Sequence, residues 1–480
     1  MAINNKDIVN NMGWQFLQRF SAQIVTFLVG LVLARLLSPE EYGVVAIVHL
    51  VVTFFDSFTY RGFNQALLQK KDPDSLDYST VCWFNIGLNV VFFAGLFLAA
   101  PLIADFYDEQ SLTPMIRVMS ARLIISGYDM IQQTYIQKNM LFKKLVLPSI
   151  VSTVISAVVG IAMAFMGAGA WALVFQTFVG AALNAVILFF SITWRPRFVF
   201  SFERLKGMSR YGISMLLTSL VESVYNELRG LLIGKLYSKA DLAFHDKGRQ
   251  IPTLVMSNVQ NSVSTVFFSA LTHENSRADM HQKVRDNLGV MMFVMGPVLM
   301  GLASVSAPLI TFLYTEKWVG AAPYMVMYCL SYLTWVIQTP VLQALNAIGK
   351  ADTTLRLTTV HCFIGLGLLF AMMSLGPVAV AASVTVANVI ITVIIMMVYN
   401  KHFTYSFLDL VKDVGLTVVQ LGVMVLAVSL VGNLASHVLV KLIIQVLTGA
   451  AVYVLLSELL KNKAYLQVKQ SLLEKLRRKV

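Results

Sequence analysis

LARLLSPEEYG, from Leu33 to Gly43, separates two long apolar blocks, and a related segment, IGKLYSKADLA, returns at Ile233 to Ala243. Laid over each other, the two match Leu36 with Leu236, Ser38 with Ser238, Arg35 with Lys235 and Glu41 with Asp241. A second pair follows in the same order: PLIADFY from Pro101 and PLITFLY from Pro308, each leading into a short connection that holds a proline, Pro114 or Pro323. Two correspondences in one order and at equivalent depths indicate an internal repeat. They predict two six-helix halves in parallel orientation, related by an axis along a membrane normal and arranged around a central cavity.

The blocks around these segments set the class. Of 480 residues, 57% are hydrophobic and 13% are charged, against roughly 25% charged in ordinary soluble domains. The apolar residues fall in runs of about 20, the length that crosses about 30 Å of hydrocarbon at 1.5 Å per residue. The expected fold is therefore an all-α integral membrane protein of fourteen transmembrane helices. The first six spans fall at about 14–36, 43–65, 80–104, 115–136, 146–166 and 170–191. The other eight fall at about 211–237, 244–268, 288–312, 323–345, 357–375, 377–399, 413–434 and 438–458. This gives a first lobe at 1–191, a basic linker at 192–210, a second lobe at 211–400, and two further spans with a basic tail at 401–480. The first block contains Arg19, exceeds 20 residues and lacks a small-x-small cleavage site, so it is read as a span and not as a signal peptide.

The net charge of +12 is explained by topology. If the N-terminus is cytoplasmic, 25 of the 37 lysines and arginines fall in inside segments and the C-terminal tail, while the outer loops hold Lys239 and Lys317. The positive-inside rule then places both termini in the cytoplasm, and anionic headgroups account for the basic loops without nucleic acid. Cys82, Cys329 and Cys362 are far apart, so neither a metal site nor a structural disulfide is expected. No connection exceeds about 19 residues, and there is no HExxH, GKS or GxSxG motif, so an enzyme is not expected.

Charged residues inside the spans need a polar place to sit, since each costs at least about 2.5 kcal/mol at a helix centre. In span 1, Gln15, Arg19, Gln23 and Thr26 form a stripe at helical spacing. Span 2 repeats the pattern with Thr53, Asp56, Tyr60 and Asn64, beside Arg61. Span 4 carries Arg122, Ser126, Asp129 and Gln133; span 7 carries Thr218, Glu222, Asn226 and Arg229, with Glu227 alongside; span 8 opens with His245, Asp246, Lys247 and Arg249. The expected cationic cavity is Arg19, Arg61, Arg122, Arg229, Arg249 and Lys247 with Gln23, suited to an anionic cargo because arginine offers a fork of donors to phosphate. Asp56, Asp129, Glu222 and Glu227 are candidates for coupling to a proton or sodium gradient. The competing structural reading is that these charges pair among themselves, for example Arg122 with Asp129 or Glu222 with Arg229.

LARLLSPEEYGVVA at 33–46, GFNQALLQKKD at 62–72, STVCWFNIGLN at 79–89, APLIADFY at 100–107, QKNMLFKKL at 137–145 and NAIGKAD at 346–352 resemble the Wzx-type flippases. These form the polysaccharide-transporter branch of the superfamily that also holds the multidrug and toxic-compound exporters, and the likeness is to its colanic acid and teichuronic acid exporter group. The resemblance implies alternating access by two rocking lobes. It also implies transfer of an undecaprenyl-pyrophosphate-linked oligosaccharide from the cytoplasmic to the outer leaflet of a bacterial inner membrane, for surface polysaccharide or lipopolysaccharide synthesis. No cofactor is implied beyond an ion gradient, and the polysaccharide polymerase machinery is an expected partner. Related lipid flippases hold pyrophosphate with arginines in spans 1, 2 and 8, where Arg19, Arg61 and Arg249 stand here. The alternatives are a cation-coupled multidrug exporter of the same superfamily, against which the cationic stripes argue, and a membrane enzyme acting on the same lipid carrier.

Overall fold

The computed structural model describes residues 5–272, 276–432 and 434–477, and those residues hold no β-strand. They form two compact units, Met1–Ala243 and Phe244–Val480.

The first unit contains α1 (Asn5–Leu36), α2 (Pro39–Arg61), α3 (Phe63–Gln69), α4 (Ser75–Phe106), α5 (Leu112–Lys138), α6 (Lys143–Phe165), α7 (Ala170–Ser191) and α8 (Phe202–Leu236), and it ends within α9 (Lys239–Thr272). Helix α4 lies along α5, α6 along α7 and α1, and α2 between α5 and α8. The second unit continues α9 and adds α10 (Arg277–Ser304), α11 (Ser306–Tyr314), a 3-10 turn at Glu316–Ala321, and α12 (Ala322–Ala347). It closes with α13 (Ala351–Met372), α14 (Pro377–Phe403), α15 (Phe407–Val431), α16 (Val438–Leu459) and α17 (Lys463–Arg477). Here α12 packs on α10 and α14, and α15 on α10 and α16.

Twelve of the expected spans each coincide with one long helix, and the second and the ninth are each divided between two. Eleven of these are long and apolar enough to cross a membrane; α5, α8 and α9 are as long but carry the polar stripes. The chain is a multi-pass membrane protein, and its side chains are arranged for an apolar solvent. Leu98 and Leu102 on α4 are 76% and 72% exposed, positions that would be costly in water at about 25 cal/mol per Å2 of apolar surface.

The repeated segments fold alike because their capping residues do. Ser38 starts α2: the Glu41 N–H donates to its hydroxyl at 3.2 Å and the Glu41 carboxylate accepts from the Ser38 N–H at 2.7 Å. Ser238 starts α9 in the same way, with the Asp241 N–H at 3.0 Å and the Asp241 carboxylate at 3.2 Å. Pro39 occupies the first turn of α2, where its missing N–H has no helical partner to lose.

Two expected spans are broken. The second is interrupted at Gly62, where a Cβ would lie 2.7 Å from Leu216 Cδ2 and 3.0 Å from the Phe58 carbonyl; α3 begins there. The ninth is divided at Val305 into α10 and α11. The sequence also holds one DxD spacing, Asp72–Pro73–Asp74, which in a transferase would suggest a metal-binding pair. Here Asp74 caps α4 by accepting from the Asp77 N–H at 2.8 Å, and that hydrogen bond holds its carboxyl below the ordinary carboxylate range. Among the described residues no group of three His, Cys, Asp or Glu is placed to hold a metal ion.

Candidate functional site

The polar stripes of the first unit meet along α2, α4, α5 and α7. Helices α4 and α5 approach closely because Gly127 has no side chain: a Cβ there would stand 2.8 Å from the Asn89 amide nitrogen. That lets Asn85 and Asn89 reach the start of the unit's polar track. Thr59 donates to Asn89 Oδ1 at 2.7 Å, Asn85 donates to Asn64 Oδ1 at 3.0 Å, and Asn64 donates to the Thr59 carbonyl at 2.9 Å. All four residues are buried, and each shared bond offsets the desolvation that an unpaired amide would suffer.

Further along, Arg122 Nη2 on α5 lies 3.1 Å from Asp56 Oδ2 on α2. Asp56 is 7% exposed, and its second oxygen has no hydrogen-bond partner among the described residues. Arg122 thus pairs across helices and not with Asp129 on its own helix. Asp129 instead accepts from Gln133 Nε2 at 2.8 Å and from Asn184 Nδ2 on α7 at 3.0 Å. Asn184 lies outside the stripes read from the sequence, because apolar residues dominate α7.

Arg19 and Gln23 lie on α1, with Arg19 exposed and without an ion pair among the described residues. Arg229, on α8, is only 3% exposed. Its Nη1 donates to the Tyr225 carbonyl one turn back at 3.0 Å, and its guanidinium carbon stands 4.6 Å from the Tyr225 ring centroid. Its Nε and Nη2 are buried and have no hydrogen-bond partner among the described residues. Ser223, on the same helix, donates to Ser57 of α2 at 2.7 Å. The side chains of Arg61 and Glu222 lie outside the described residues, as does the expected Glu222–Arg229 pair. Glu227 is half-buried on α8.

In the second unit, α9 meets α12 through hydroxyl contacts. His245 Nε2 is 2.8 Å from the Tyr328 hydroxyl, and Thr253 Oγ1 is 2.8 Å from the Tyr332 hydroxyl. Close packing at Gly248 permits this, since a Cβ would lie 2.6 Å from the Ala321 carbonyl. Arg249 is half-buried between these two contacts along α9. Lys247, 9% exposed, sits over aromatic faces, 5.2 Å from the Tyr314 ring and 5.8 Å from the Trp318 ring. A cation over an aromatic face is held by the ring quadrupole.

These described residues offer ionic and amide groups that can bind anions or cations. A family model described as polysaccharide biosynthesis protein matches residues 32–323. The chain is 26% identical over 481 residues to the teichuronic acid biosynthesis protein TuaB of Bacillus subtilis, covering 98% of both chains. It is 25% identical to the succinoglycan biosynthesis transport protein ExoT of Rhizobium meliloti, covering 68% of this chain and 67% of the relative. It is also 22% identical to the lipopolysaccharide biosynthesis protein WzxC of Escherichia coli, covering 78% of each. Among solved structures, the lipid II flippase MurJ in an inward closed conformation superposes with a TM-score of 0.76 at 17% identity, over 94% of this chain and 98% of that one. A point mutant of the Vibrio cholerae MATE transporter VcmN superposes at 0.54 with 13% identity, over 84% of this chain and 98% of that one. These likenesses show a shared fold. Since the family model spans more than half of its length, the chain belongs to the polysaccharide biosynthesis protein family.

Proposed function

We propose that this protein is a flippase. Its cargo is an undecaprenyl-pyrophosphate-linked oligosaccharide, and it carries that cargo from the cytoplasmic to the outer leaflet of a bacterial inner membrane. In this reading fourteen helices cross the bilayer, both termini are cytoplasmic, and lobes at 1–191 and 211–400 alternate access. The residues at 401–480 are appended, and the polysaccharide polymerase machinery receives the product. The names of the relatives, which include transport of succinoglycan and biosynthesis of teichuronic acid and lipopolysaccharide, support a sugar-bearing cargo.

The observation that carries the proposal is Arg229. A buried guanidinium with two unpartnered donors is a costly arrangement, and a bidentate anion such as a phosphate relieves it. Arg19, exposed and without an ion pair among the described residues, supplies a second cationic position. Arg61 on α2, and Arg249 and Lys247 on α9, are the other basic residues assigned to the cargo in this reading. Arg122 has a different role in this conformation, since Asp56 neutralises it. Asp56 and Asp129, with Glu222 and Glu227, are proposed as the points where a proton or sodium gradient acts; Asp56 lies beside the Arg122 guanidinium and Asp129 accepts from two side-chain amides.

The test is complementation of a flippase-null strain at equal membrane expression. Arg19→Ala, Arg229→Ala and Arg249→Ala should each reduce surface polysaccharide at least tenfold, and Arg229→Lys should restore little because an ammonium lacks the fork. Full surface polysaccharide in all three alanine variants would overturn the anionic-cargo reading.

A further inference from the structure

The second unit contains an apolar groove of about 400 Å3 lined by Phe293, Val294 and Pro297 of α10, Tyr453 and Val454 of α16, and Tyr465, Val468 and Lys469 of α17. Its construction begins with Pro297. A proline has no N–H, so the carbonyl of Phe293, four residues earlier, lacks its helical donor. The Tyr453 hydroxyl takes that place and donates to the Phe293 carbonyl at 2.9 Å. This pins α16 to α10 and fixes the Phe293 and Tyr453 rings at 5.2 Å between centroids. The groove walls therefore have no free polar atom at the Pro297 break. Val294 and Val454 are 45% and 51% exposed, so the groove opens sideways to the medium that surrounds the helices.

At one end the chemistry changes. Helix α17 carries Ala464, Tyr465, Val468 and Leu472 at helical spacing, and Ala464 joins the Phe293 and Tyr453 cluster. The stretch from Lys461 to Val480 holds seven lysines and arginines against one acidic residue, Glu474. This is the composition of a helix lying in a membrane interface. Lys469 stands at the groove: its Nζ is 2.9 Å from both oxygens of Glu458 and 5.4 Å from the Tyr465 ring centroid, and its side chain is 43% exposed. An ammonium has three donors, and part of this one is exposed beside the groove.

We propose that this groove binds an acyl chain of an anionic phospholipid from the leaflet in which α17 lies, with the lipid phosphate at Lys469. An apolar slot open to the bilayer suits a hydrocarbon chain. The excess positive charge of the tail selects anionic over zwitterionic headgroups by about fivefold for each lysine at the surface. The site uses none of the arginines proposed to hold cargo, and it does not depend on which cargo crosses.

The test uses the full chain purified in detergent with phosphatidylglycerol or with phosphatidylcholine of the same acyl composition, and native mass spectrometry to count retained lipids. One phosphatidylglycerol should stay bound to the wild type. Val294→Trp, which fills the groove, should lose it, and Lys469→Gln should cut the preference for phosphatidylglycerol about fivefold. Leu98→Trp, on the apolar surface of α4, should leave retention unchanged. A melting curve of each variant reports folding. If Val294→Trp fails to fold, Val468→Trp blocks the groove from α17 and its result decides in its place. Equal retention of the two lipids, or retention that survives blocking of the groove, would mean annular lipid only and overturn the proposal.

Discussion

Replacing Arg122 by leucine should destabilise the protein by about 3 kcal/mol, and replacing Asp56 as well should recover most of that loss. The two charged atoms are 3.1 Å apart, Asp56 is 7% exposed and the Arg122 side chain 24%. At an effective dielectric of about 20, opposite charges at this distance attract by about 5 kcal/mol, and part of that is spent on desolvating the two groups. Removing one partner leaves the other charged and buried, which costs about 3–5 kcal/mol in buried pairs, whereas removing both replaces an ion pair by packing and is close to neutral. Partial exposure of Arg122 puts the single variants at the low end. Arg122→Leu, Asp56→Leu and the double variant, unfolded thermally in one detergent, form a double-mutant cycle. Its coupling energy should approach the sum of the two single losses, about 5–6 kcal/mol. Additive losses would refute the pair as a structural unit and return Arg122 to the cargo-binding set. Surface polysaccharide measured on the double variant separates the roles further: a purely structural pair predicts that transport returns with stability.

Gly43→Ala should cost about 1–3 kcal/mol in the same melting assay, because its Cβ would stand 1.9 Å from the Lys239 carbonyl oxygen and 2.4 Å from the carbonyl carbon, backbone atoms with no rotamer to change. Gly87→Ala in α4, where a Cβ meets nothing within 4 Å, should instead stabilise by about 0.5–1 kcal/mol through helix propensity; a loss as large as that of Gly43→Ala would contradict the steric account. Glu109, at the turn between α4 and α5, has its carboxyl held below the ordinary 4.5 by hydrogen bonds from Lys239 and Ser111. A carboxylate with a lowered folded pKa contributes stability that is present above the unfolded value and lost as pH falls through the folded one. The wild type should therefore lose more stability than Glu109→Gln between about pH 5 and pH 3, and identical pH dependence of the two melting temperatures would sink this account.

What could be read from the sequence was what depends on neighbours along the chain. Ser38 with Glu41 and Ser238 with Asp241 are caps three residues long, so the repeat was visible and folded as the letters implied. The spans were visible because hydrophobicity over about 20 residues measures the solvent directly. Polar partners were not visible. Arg122 and Asp129 are seven residues apart on one helix, about 10.5 Å along its axis at 1.5 Å per residue, too far for an ion pair, and each turned to a different helix, Asp56 on α2 and Asn184 on α7. Which residue waits across a helix interface depends on rotation and depth, and neither leaves a mark in a single sequence. The breaks at Gly62 and Val305 were missed for a related reason, since apolar composition continues across both while the backbone does not. Arg229 shows where the two kinds of information meet. Its place in a stripe with Thr218 and Asn226 was legible, but the stripe alone fits an exposed face, a salt bridge or a binding surface equally well. Burial to 3% with two donors unpartnered among the described residues removes the exposed face and, for those residues, the salt bridge. Under the proposed function, an anion that arrives from outside the chain satisfies that guanidinium.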